Sequence, residues 1–124
     1  MTSTGSSPCR QLSFEVQTGG NPGAHARRQL DHVADQIDHP TFARLRLLVS
    51  ELVNRAAANP DRDSVAVSVT VWPAAIHAVV LDDSSAEPRV LDWALLLVGR
   101  MADRWGTAQG IWFELDTPQR TAGV

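Results

Sequence analysis

Residues 65–81 read VAVSVTVWPAAIHAVVL, and the pattern of this stretch decides the fold. Val65, Val67, Val69 and Val71 alternate with Ala66, Ser68 and Thr70, the two-residue repeat of a strand with one buried face. Trp72-Pro73-Ala74 reads as a turn. Residues 75–81 then form a further strand paired with the first. A sheet with one apolar face requires a covering layer, and the flanking sequence carries helical patterns that can supply it.

Upstream, Phe42, Leu45, Leu48, Val49, Leu52, Val53 and Ala56 line one face of a helix that Thr41 would cap. Asn59-Pro60-Asp61 stops it. An earlier helix spans about 24–37, with Leu30, Val33, Ala34 and Ile37 at helical spacing, and Asp38-His39-Pro40 ends it. Before that, Leu12, Phe14 and Val16 alternate with Ser13 and Glu15 as a strand, and residues 19–23 (GGNPG) break the chain. Downstream of the hairpin lies a polar loop, 82–88. A helix from Asp92 to Trp105 follows, carrying Leu95, Val98, Ala102 and Trp105, with Gly106 as its terminator. Residues 110–115 alternate as the last strand. The expected architecture is a two-layer α/β (α+β) sandwich: a mixed, mainly antiparallel sheet with helices on one face.

At 124 residues and 44% hydrophobic composition, the chain suits one domain with a sizeable core. Residues 1–10 read as a disordered leader, 11–116 as the domain and 117–124 as a flexible tail. The net charge is −3 and all 11 basic residues are Arg, a composition that hints at a GC-rich bacterial genome. Arg27, Arg28, Arg44 and Arg46 are the nearest thing to a basic patch, and no nucleic-acid partner is expected. Cys9 is the single cysteine, so neither an internal disulfide nor a spaced zinc site is available. The start lacks the apolar core of a secretory signal, and the longest apolar run, 94–98, falls far short of the ~20 residues that span a bilayer. A soluble cytoplasmic protein is expected. His25, His32, His39 and His77 lack metal-site spacing, and no P-loop or nucleophile-elbow string is present. Trp72 and Trp112 read as core or dimer-packing residues.

Three strings, in order, carry a resemblance. Residues 47–53 (LLVSELV) look like the helix "LLVSELVTNA" of the GHKL, or histidine-kinase-like ATPase, superfamily. Residues 79–82 (VVLD) match its strand ending in an adenine-binding aspartate. Residues 95–98 (LLLV) and 102–106 (ADRWG) are close to "LLLVDALADRWG", and 110–115 (GIWFEL) match its closing strand. Over residues 12–115 the chain resembles the small anti-sigma serine kinases of actinobacteria, which implies the Bergerat ATPase fold.

The resemblance places Glu51 at the position of the glutamate that assists transfer of the γ-phosphate to a partner's serine. It places Arg55 where an asparagine would hold Mg²⁺, with Asn54 one residue early and turned by about 100° on the helix. Asp82 stands at the adenine-binding aspartate. Ser84 and Ala86 stand where D-x-G-x-G has its glycines. At the phosphate-binding G-x-G-L the chain reads Asp92-Trp93-Ala94-Leu95. Glycines there would let backbone N–H groups approach phosphate at a helix N-terminus, whereas Asp92 is a good N-cap that adds negative charge. An ion pair from Arg55 to Asp82 or Asp92 is expected to fill the pocket in place of Mg-ATP.

The implied function is a regulatory protein of the anti-sigma type that binds a sigma factor or a STAS-type antagonist, as a homodimer, with ATP use weakened or lost. Two alternatives stand beside it. One is an active ATP-dependent serine kinase acting on a STAS-type antagonist. The other is a nucleotide-independent structural partner. The degraded Mg and phosphate motifs lean away from an enzyme.

Overall fold

The computed structural model describes residues 10–81, 92–108 and 110–118. Strand β1 (Arg10–Gln17) leads to helix α1 (Pro22–Leu30), a 3₁₀ helix (Asp31–Gln36) and the long helix α2 (His39–Ala57). The hairpin β2 (Ser64–Val71) and β3 (Ala75–Val80) follows, then α3 (Trp93–Met101), β4 (Arg104–Gly106) and β5 (Ile111–Asp116). The strands form one sheet in the order β1-β2-β3-β5-β4. Every pair is antiparallel, so among the described strands the sheet is not mixed.

The period-2 pattern sorts the two faces. Cross-strand rows such as Phe14–Val67–Val80–Ile111 and Leu12–Val69–Ala78–Phe113 lie on one side. The helices cover that side. Leu45, Leu48, Val49, Leu52, Val53 and Ala56 of α2 are fully buried, and α1 adds Ala26 and Leu30 while α3 adds Ala94 and Val98. Removing each such large side chain from water is worth about 1.5–3 kcal/mol. The fold is thus an α+β two-layer sandwich with its helices on one face of an antiparallel sheet.

Three further sequence expectations are corrected. The span 24–37 is not one helix. Asn21 caps α1, with Pro22 in the first turn, and the chain tightens to 3₁₀ after Leu30. A three-residue repeat still aligns Leu30 with Val33, both buried, so the apolar spacing suits either helix type. Second, Asp38 rather than Thr41 caps α2. Its Oδ2 accepts from the Thr41 N–H at 3.1 Å and from the Thr41 hydroxyl at 2.8 Å. Pro40 falls in the first turn, where its missing N–H costs nothing.

Third, α3 stops at Met101, and Ala102 is extended. Residues 104–106 pair with 112–114 as β4, so Trp105 belongs to a strand and Gly106 does not terminate a helix. The Asp103 N–H donates to the Glu114 carbonyl at 2.9 Å, starting that ladder. Gly106 lies beneath the Trp112 indole, where an added Cβ would sit 2.6 Å from Nε1. Gly106→Ala should therefore destabilise the fold by about 1–3 kcal/mol in urea unfolding, and Trp112→Phe in the same chain should relieve part of that loss.

Candidate functional site

The C-terminal half of α2 meets the N-terminus of α3. Asp92 caps α3, its Oδ1 accepting from the Leu95 N–H at 3.2 Å. Its other oxygen, Oδ2, accepts from Arg55 Nε at 2.7 Å, and the two side chains are only 20% and 14% exposed. One carboxylate therefore satisfies an orphan helix donor and a guanidinium at once. The pairing expected of Arg55 is realised with Asp92. Asp82 and Ser84 lie outside the described residues, as do Asp83 and Ala86.

Asn54 points elsewhere. Its Oδ1 accepts from the Gly23 N–H at 3.0 Å. Asn21 Oδ1 takes the Ala24 N–H, and the Asn21 carbonyl takes the His25 N–H. The donors of the first turn of α1 are thereby satisfied by two asparagines, one of them from α2. A Cβ on Gly23 would sit 2.7 Å from Asn54 Nδ2, so the glycine lets the two helices approach. Glu51 is half-buried on α2, one turn before Arg55, and its side chain makes no hydrogen bond or ion pair among the described residues. Ala94 is buried in the core and Trp93 is 61% exposed.

Among the described residues, the groups at these positions are already engaged within the protein. The asparagine oxygen is committed to α1. A guanidinium stands at the position where the resemblance would have a metal ligand. The α3 N-terminus, where backbone donors could meet a phosphate, already holds a carboxylate. Among the described residues no cluster of three or more His, Cys, Asp or Glu side chains could hold a metal ion.

The uncovered face of the sheet carries a cluster that sequence reading missed. His77 on β3 stacks on Trp112 of β5, with ring centroids 5.6 Å apart and planes 22° from parallel. His77 Nδ1 lies 3.0 Å from Glu114 Oε2. Arg104 Nε donates to Glu114 Oε1 at 2.7 Å, and Arg104 also pairs with Asp116. Hydrogen bonding from Arg104 holds the Glu114 carboxyl below its usual range against the opposing desolvation, and a weaker contribution from His77 adds to the lowering. The Arg104 hydrogen bond likewise lowers Asp116, while Asp116 and then Glu114 raise Arg104. The available signal was the alternation itself, which places His77, Trp112 and Glu114 on the polar face. Their cross-strand partners needed the register.

Of the four arginines considered as a basic patch, Arg44 donates to the Met101 carbonyl at 3.2 Å and lies 3.9 Å from Asp103. Arg46 lies over the Phe42 ring, 5.7 Å from its centroid. No helix among the described residues is long and apolar enough to cross a membrane.

Two outcomes test this geometry. Asp92→Ala removes both the cap and the pair and should cost about 3 kcal/mol, whereas Asp92→Asn keeps the cap and should cost about 2 kcal/mol; urea unfolding of both variants checks the order. On the open face, Glu114 has a lowered folded-state pKa. Its contribution to stability is present above its unfolded value of about 4.3 and is lost as pH falls through the lower folded value. Glu114→Gln should therefore flatten the acid limb of a stability-against-pH curve below about pH 4.5. A scan of protein-family models and a search of curated proteins find no match to this chain.

Proposed function

We propose that this chain is a regulatory protein of the anti-sigma type within the GHKL superfamily, acting by protein–protein binding with ATP use weakened or lost. The observation that carries this reading is the Arg55–Asp92 pair. A cation and an anion of the protein itself meet where the resemblance would place a metal ligand and a phosphate-binding helix terminus. Each offsets the charge of the other without a ligand. The α+β architecture and the LLVSELV string on α2 support the family assignment. The partner proposed is a sigma factor or a STAS-type antagonist in the cytoplasm, with the protein acting as a homodimer.

The active serine kinase is the second reading, favoured by one observation. Glu51 stands half-buried on α2 one turn before Arg55, where the resemblance places the glutamate that assists phosphoryl transfer.

Thermal unfolding with and without Mg-ATP separates the two. A ligand at about 100 times its dissociation constant stabilises by roughly 2.7 kcal/mol, a shift of about 10 °C for a small domain. The binding-module reading expects no shift, no heat on titration and no phosphoserine on a STAS-type antagonist, together with a complex between this chain and a sigma factor or such an antagonist. A shift of that size accompanied by phosphoserine would replace it with the kinase reading.

A further inference from the structure

Helix α3 reads WALLLVGRM, with Arg100 as its only charged residue. A helix apolar nearly all round belongs inside a structure, yet one face of α3 is open. Ala94 and Val98 are buried in the core. Trp93, Leu96 and Arg100 share the opposite face at i, i+3 and i+7 spacing, and all three are exposed. Trp93 is 61% and Leu96 48% exposed. Trp105 of β4, 41% exposed, widens this face: its indole lies against Gly99, where an added Cβ would sit 3.8 Å from the ring.

Helix α2 borders the same surface. Arg55 reaches Asp92 at one end of α3, and Arg44 reaches the Met101 carbonyl at the other. The two helices therefore run antiparallel, and Leu47 falls on α2 between those anchors. Of the five large apolar side chains exposed among the described residues, four are Leu47, Trp93, Leu96 and Trp105. Single exposed apolar residues are ordinary, but a gathering of them marks a binding surface. Beside them, the Arg100 side chain makes no hydrogen bond or ion pair among the described residues.

We propose that this face of α3 docks an amphipathic helix of another protein, whose apolar stripe seats on Trp93, Leu96 and Trp105 and whose carboxylate pairs with Arg100. The row from Trp93 to Arg100 spans two turns, about 10 Å, which matches anchors at i, i+4 and i+7 of a helix lying along it. An unpaired cation at the border of an apolar patch selects a partner anion and repels a cation. Other occupants fit less well. Residues 1–9 and 119–124 contain no aromatic residue, leucine or isoleucine with which to cover the patch. A second copy presenting α3 would bring another Arg100 and no acid. An anionic membrane would meet one arginine of this face on a chain of net charge −3, whereas stable anchoring to a bilayer takes two signals. The proposal names a surface for the protein binding proposed above but stands on α3 alone.

The experiment is calorimetric titration of the full chain with synthetic amidated peptides of about 20 residues, long enough to form helix. Each carries leucines at i, i+4 and i+7, a single Glu placed at each flanking position in turn, and has a twin with Lys in place of Glu. The expected result is saturable binding of a Glu peptide, about tenfold tighter than its Lys twin. Arg100→Glu should reverse that preference, and Trp93→Ser and Leu96→Ser should each weaken binding about tenfold. Circular dichroism checks that the variants fold; if Arg100→Glu does not, the wild-type Glu–Lys comparison and Leu96→Ser decide. No saturable binding of any peptide overturns the proposal, as does equal binding of the Glu and Lys twins. It is also overturned by self-association, or by binding to phosphatidylglycerol–phosphatidylcholine vesicles, that Trp93→Ser abolishes. A free chain whose Trp93 resists acrylamide quenching would place another part of the chain on this face and overturn it too. Binding of a sigma factor or STAS-type antagonist, measured separately, tests the functional reading independently of the peptide result.

Discussion

One face of the antiparallel sheet must be kept from water, and α2 is the element that does most of this. Its fully buried residues, Leu45, Leu48, Val49, Leu52, Val53 and Ala56, sit on the alternating valines of β2 and the apolar rows of β3 and β5. The strand period of two and the helix period of 3.6 meet at this interface. Every other element is placed relative to it. α1 and the 3₁₀ helix extend the cover towards β1, and α3 extends it towards β5 and β4.

The same helix also organises the polar groups. Its last turns reach both neighbouring helices through side chains: Asn54 to the N-terminus of α1 and Arg55 to the cap of α3. Helix N-termini expose orphan donors and a partial positive charge, which makes them natural anion sites. Here both termini are served by the protein's own oxygens. Among the described residues, the oxygens at these two termini are thus committed to contacts within the protein.

The uncovered face shows how cross-strand register creates interactions that spacing alone does not. His77, Trp112, Glu114 and Arg104 come from three strands separated in sequence by as many as 37 positions, and they meet because each register is fixed by the buried face beneath. The apolar alternation on one side thus determines which polar side chains become neighbours on the other.

Much of the architecture was legible in local pattern. Clean alternation marked β1, β2 and β5, the turn at 72–74 marked β3 as the partner of β2, and the spacing of α2 marked its buried face, because burial imposes a period on a sequence. Asp92 as a cap was legible too, since capping is a contact between a side chain and its own next turn. The boundary at 101–106 was not. Leu95, Val98, Ala102 and Trp105 fit a helical repeat, and only pairing with β5 pulls the last residues into a strand, a choice made by distant backbone groups. Nor could the sequence show that Asn54 turns to Gly23 while Arg55 turns to Asp92, residues 31 and 37 positions away. Periodicity reports which side of an element is dry; which polar groups then meet depends on how the packed elements sit, and that was decided only by the tertiary structure.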